Sequence, residues 1–99
     1  MFMVRSTLNA KPGRVRELVD KFKALNAVLK DLGLHEFRLY TDVSGEAFWT
    51  LVAEREFESL GTIEETEGKV MADPRAQAAM EGYHDIVVSG KREIFKVEA

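Results

Sequence analysis

The chain has 99 residues, 45% of them apolar and 31% charged, with a net charge of −3 and no cysteine. That length suits one domain, residues 1–99, with one hydrophobic core and little spare volume for a large internal active site. The composition excludes a disulfide framework, a thiolate metal site, a thiol nucleophile, a membrane span of ~18 apolar residues and a general attraction to nucleic acid. The N-terminal Met1-Phe2-Met3-Val4-Arg5 lacks a basic region followed by a long apolar run, so a cytoplasmic location is expected.

Residues 2–8 alternate Phe2, Val4, Ser6, Leu8 against Met3, Arg5, Thr7, the period of a strand. Lys11-Pro12-Gly13 follows, and Pro12 is expected in the first turn of a helix. From Val15 the period becomes helical, with Leu18, Val19, Phe22, Leu25, Leu29 and Leu32 on one stripe. Gly33 is expected to cap this helix in the left-handed conformation, with Leu34 packing back on Leu29.

Residues 34–42 read as a second strand, with His35, Phe37, Leu39 and Thr41 on one face and Glu36, Arg38 and Tyr40 on the other. A turn at Val43-Ser44-Gly45 leads into a third strand over residues 46–54. This strand is apolar on both faces: Ala47, Trp49, Leu51 and Ala53 on one, Phe48, Thr50 and Val52 on the other. One helix layer covers one face only, so a second cover is expected.

Residues 59–72 read as a helix with Leu60, Ile63, Val70 and Met71 as its apolar face and Gly61 and Gly68 inside it. Asp73-Pro74 restarts a helix, as N-cap and first position. Ile86-Val87-Val88 and residues 92–97 make the last strand, with a bulge or bend at Ser89-Gly90.

The order is β-α-β-β-α-(α)-β, the ferredoxin-like split βαβ: an α+β fold with an antiparallel sheet and helices on one face. Sheet-on-sheet packing in a homodimer would cover the other face.

The chain resembles the dimeric α+β barrel superfamily, and within it NIPSNAP-like and antibiotic-biosynthesis-monooxygenase-like domains. Nearly the whole chain carries the resemblance. It rests on Lys11-Pro12-Gly13 before a long helix, Phe37-Arg38-Leu39-Tyr40 before Ser44-Gly45, Glu56-Phe57-Glu58-Ser59-Leu60, Ala72-Asp73-Pro74, and Ser89-Gly90-Lys91-Arg92-Glu93-Ile94. None of these strings is a catalytic signature. The resemblance implies a homodimeric barrel and a pocket between sheet and helices. It also implies either cofactor-independent oxidation of aromatic compounds or heme degradation. The heme-degrading relatives use Asn, Trp and His, whereas this chain has Ser6, Ile63, and Ala79-Met80 near those places. No cofactor and no metal are therefore expected.

His84, in Tyr83-His84-Asp85, is a candidate proton shuttle at a helix end, and Ser6 is a polar group among apolar neighbours that needs a partner. Trp49 and Tyr40 are candidates for stacking a flat ligand, Tyr83 for binding substrate beside His84, and Arg38 for meeting an anionic substrate or a carboxylate across a dimer. Each has a structural alternative: His84 as a half-exposed helix-end residue, Trp49 as filling of a dimer core. Glu64, Glu65 and Glu67 read as a solvated helix face.

Three functions compete. The first is a homodimer that binds a small apolar or aromatic molecule, in one form a cofactor-independent monooxygenase. The second is a noncatalytic homodimer with a structural or protein-interaction role. The third is an RNA-recognition domain, which shares the element order but needs exposed aromatics and basic residues; Glu46 and the negative charge argue against it.

Overall fold

The computed structural model describes residues 1–99. In chain order the elements are β1 (Phe2–Ala10), α1 (Val15–Asp31), β2 (Arg38–Thr41), β3 (Thr50–Phe57), α2 (Leu60–Ala72), α3 (Pro74–Ala79), a 3-10 turn at Tyr83–Asp85 and β4 (Val87–Lys96). The strands form one antiparallel sheet in the order β2-β3-β1-β4. This is the α+β, ferredoxin-like arrangement that the periodicity predicts. No helix is long and apolar enough to cross a membrane.

Alternation decides which residues enter the core. Val4, Leu8 and Ala10 of β1 and Leu51 and Ala53 of β3 face the helices. Against them α1 buries Leu18, Val19, Phe22, Leu25, Val28 and Leu29. Ile63 and Val70 of α2 and Ala76 of α3 complete the layer.

The caps follow the sequence closely. Gly33 takes φ +71°, its N–H donates to the Lys30 carbonyl at 3.0 Å, and the Leu34 N–H donates to the Leu29 carbonyl at 2.9 Å. That pair of bonds is the Schellman motif. Ser59 caps α2 in a box with Thr62, and the Asp73 carboxylate accepts from the Arg75 N–H at 2.9 Å to start α3 at Pro74.

Several boundaries differ from expectation. Pro12 lies outside the helix, in a turn where the Arg14 N–H donates to the Lys11 carbonyl at 3.0 Å and Gly13 takes φ +79°. Leu32 falls at the end of α1 and is exposed, while Val28 is buried in the stripe. Leu60 and Met71 are exposed, because only Ile63 and Val70 of α2 turn fully inward. A Cβ added at Gly68 would meet open space, and one at Gly61 would touch only the Ser59 hydroxyl, so neither glycine is kept for a close neighbour within the chain. The last strand is continuous, and its register shift falls at Val88, one position before Ser89.

The second strand begins at Arg38 rather than residue 34. The Asn26 side chain takes both backbone groups of Phe37, accepting from its N–H at 2.7 Å and donating to its carbonyl at 3.0 Å. A helix side chain thereby replaces a strand partner. The third strand begins at Thr50 rather than residue 46. Asp42 accepts from the Thr50 N–H at 2.7 Å, the Thr50 hydroxyl donates to the Ala47 carbonyl at 2.9 Å, and Trp49 has φ +59°. A left-handed tryptophan ends any extended run, so Phe48 and Trp49 belong to a loop and are 84% and 40% exposed.

The molecule is only 18 Å thick along its shortest axis, one sheet plus one helix layer. The far face of the sheet is open. It is mixed rather than apolar: Arg5 and Glu54 pair at 2.8 Å, Arg5 lies 5.1 Å from the Phe95 ring centre, and Asn9 donates to the Thr50 hydroxyl at 2.9 Å. Tyr40, Val52 and Phe95 stand among these polar groups.

Leu29 is 0% exposed, whereas Leu32 lies on the surface. Leu29→Ala is expected to lower the unfolding free energy by about 2–5 kcal/mol. Leu32→Ala is expected to lower it by less than about 1 kcal/mol. Urea titration of the two variants checks the contrast, and equal losses would contradict the burial pattern.

Candidate functional site

A groove runs past the 3-10 turn, from β1 and β4 at one end to α1, α2 and α3 at the other, with Tyr83 between the two ends. On one side a hollow of about 400 Å³ is lined by Ser6 and Leu8 of β1, Val87, Gly90 and Arg92 of β4, and Tyr83. On the other, a hollow of about 320 Å³ is lined by Leu25, Val70, Met71, Ala76, Met80 and Tyr83, with Gln77 the one polar residue. Tyr83 lines both, so a polar end and an apolar end meet at one ring.

Local sequence builds each wall. The alternation of β1 puts Ser6 on the helix side, opposite Ala53 and Arg92 in its neighbouring strands. Gly90 faces Leu8: a Cβ there would stand 2.8 Å from a Leu8 methyl, so glycine keeps that part of the groove open. Gly82 takes φ +79° and turns the chain so that Tyr83 faces the sheet. Arg92 pairs with Glu67, tying the edge strand to α2.

His84 packs its ring on Tyr83, with ring centres 4.6 Å apart, but it is exposed and does not line either hollow. Tyr40 and Arg38 lie across the sheet, on its open face, with the Arg38 guanidinium 6.0 Å from the Tyr40 ring centre. There Tyr40 lines a shallow hollow of about 690 Å³ with Thr7, Asn9, Asp42, Val52 and Lys91. Trp49 does not line it. The six candidate residues therefore divide: Ser6 and Tyr83 line the groove, His84 lies outside it against the Tyr83 ring, Tyr40 and Arg38 lie behind the sheet, and Trp49 lies in the loop. No three metal-ligating side chains cluster.

Sequence reasoning passed over two residues that the fold brings forward. Met80 joins the groove wall from the end of α3. Arg55 is buried on the helix side of β3, and the signal for it was present: it alternates with Leu51, Ala53 and Phe57 on an apolar face.

No protein-family profile and no curated protein sequence matches this chain. Solved structures do match. An uncharacterized NIPSNAP domain protein from Burkholderia xenovorans superposes with a TM-score of 0.83 at 16% identity, over 100% of this chain and 96% of that one. A NIPSNAP family protein with unknown function from Agrobacterium tumefaciens gives 0.83 at 21% identity, over 98% and 87%. A candidate antibiotic biosynthesis monooxygenase from Deinococcus radiodurans gives 0.72 at 14% identity, over 100% and 94%. The chain thus has the fold that NIPSNAP-like and monooxygenase-like proteins share, as the resemblance in its sequence implies.

The apolar wall depends on α3, whose start is held by Asp73. Hydrogen bonds from the Arg75 side chain and N–H hold the Asp73 carboxyl below its ordinary value. Because the folded value is the lower one, this stabilisation is complete above the ordinary aspartate range near pH ~3.9 and is lost as pH falls through the folded value. Asp73→Asn keeps a capping side chain but cannot titrate. The loss of stability between neutral pH and about pH 3 is expected to be smaller in this variant, measured by urea unfolding at both. Identical losses would show that Asp73 contributes nothing to acid sensitivity.

Proposed function

We propose that this protein is a homodimeric α+β barrel that binds a small apolar or aromatic molecule in the groove at Tyr83. The observation that carries the reading is the wall of Leu25, Val70, Met71, Ala76, Met80 and Tyr83, almost without polar atoms. A ligand laid there removes apolar surface from water, worth roughly 25 cal/mol per Å². Ser6 and Arg92, beyond Tyr83, are the polar groups that would orient it.

In the monooxygenase-like form of this reading, a phenolic substrate itself supplies the electrons: one atom of molecular oxygen enters the ring to give a quinone, the other leaves as water, and no cofactor takes part. Ser6 then faces the substrate, and His84, packed on the Tyr83 ring, is the nearby imidazole that would carry a proton. Trp49, Tyr40 and Arg38 belong to the dimer rather than to this groove.

Two facts support pairing through the open sheet. The sheet has no second layer, and its open face exposes the rings of Tyr40 and Phe95. Four strands of these lengths present roughly 500 Å² in plan. Two such faces reach the ~1,000 Å² that specific interfaces need.

Native mass spectrometry of the purified protein is expected to show a dimer, and Phe95→Asp to shift it to monomer. A monomeric wild type would overturn the pairing. Fluorescence titration with 1-naphthol is expected to show binding that Met71→Asp weakens at least about tenfold, equivalent to about 1.4 kcal/mol. Absence of uptake in a clean dimer would favour the noncatalytic, interaction role.

A further inference from the structure

Arg55 is the one charged residue in the core, 5% exposed among Leu51, Ala53 and Phe57 on the inner face of β3. Its guanidinium lies between two rings, 5.1 Å from the centre of Phe37 and 4.8 Å from that of Phe57. Its Nε–H has no hydrogen-bond partner, and none of the molecule's six ion pairs includes it. Glu67 is close enough for its charge to be felt, but its carboxylate is taken by Arg92. Burial lowers the proton affinity of Arg55, yet a guanidinium keeps its proton in proteins. A buried cation without an anion is costly, and removing one partner of a buried pair is what normally produces it.

Arg55 does not face solid packing. It lines a pocket of about 240 Å³ with Gly33 and His35 from the end of α1 and Thr62 and Thr66 from α2. The slot is held without Arg55. Phe37 is pinned by the Asn26 amide and meets Phe22 edge-on at 5.3 Å, and Phe57 packs with Val4 and Ile63. Such a slot needs little ordering when a ligand arrives.

We propose that this pocket binds the carboxylate of a small organic acid, whose planar anionic group completes the Arg55 fork between Phe37 and Phe57. A guanidinium presents parallel N–H donors that match a carboxylate. The Thr66 hydroxyl, half-buried in the same pocket, is a further donor. Glu56 and Glu58 stand exposed at the rim and repel a doubly charged phosphate more than a singly charged carboxylate. The pocket shares no lining residue with the groove at Tyr83, so it is a second site with its own ligand chemistry.

The test is an NMR titration of the full chain that follows the Arg55 Nε–H resonance, using benzoate, its neutral isostere benzamide, and inorganic phosphate. Benzoate at millimolar concentration is expected to move that resonance. Benzamide and phosphate are each expected to bind at least about tenfold more weakly. Arg55→Met is expected to abolish benzoate binding, Arg55→Lys to keep a fraction of it, and Thr66→Val to weaken it with the fold intact by circular dichroism. A resonance unmoved by benzoate overturns the proposal in the wild type alone, whether or not the arginine variants fold. So does equal binding of benzamide, a preference for phosphate, or benzoate binding that survives in a folded Arg55→Met. Binding of 1-naphthol to the other groove is unaffected by any of these outcomes.

Discussion

A sheet has two faces, and the helices of this chain cover only one. Everything else in the molecule follows from where α1 lies. Leu18, Val19 and Phe22 pack on the two central strands, so Leu51 and Ala53 are fully enclosed, while Leu25 and Leu29 pack with Val70 of α2 and Ala76 of α3. The edge strand β4 lies beyond that layer. Its inner side is left to a groove, and its outer side continues an open face. The groove and the open face are thus two consequences of one shortage of helical cover.

The polar groups divide along the same line. On the open face, charge is balanced locally, with Arg5 on Glu54 and amide on hydroxyl. Such a face tolerates water and can also meet a copy of itself, since it carries both signs. Inside, only Arg55 is charged, and no acidic side chain accompanies it into the core. Trp49 adds a second local cost: a left-handed tryptophan is strained by about 1–3 kcal/mol. Asp42, Thr50 and the Ala10 N–H, which donates to the Trp49 carbonyl at 2.9 Å, hold it in place.

The same fold recurs in proteins 14–21% identical to this one over nearly the whole chain. Likeness at that level of identity shows the fold and leaves the function open. Function on such a fold resides in the few side chains that line a cavity. The two sites proposed above draw on Tyr83, Met80, Ser6 and Arg92 in one hollow and on Arg55 in another.

Most of the fold was legible in the residue order. Helical and strand periods, Gly33, Ser59, Asp73 and Pro74 act over a few neighbouring residues, and short-range chemistry of that kind survives in any context. The elements whose ends moved were those with long-range partners. Phe37 is held by Asn26, eleven residues earlier, and the start of β3 by Asp42 and Trp49 in a loop that pattern alone reads as strand. The candidate site was legible in part: Ser6 and Tyr83 line one hollow, Ser6 through strand alternation and Tyr83 just after the Gly82 turn. Trp49, Tyr40 and Arg38 do not line that groove, because strand parity puts Tyr40 and Arg38 on the open face and Trp49 lies in a left-handed loop. Local propensity and periodicity, which depend only on nearby residues, determined the element order and the inner face of the sheet. Which side chains share a cavity, and that Arg55 enters the core without an anion, was decided by packing between segments far apart in the chain.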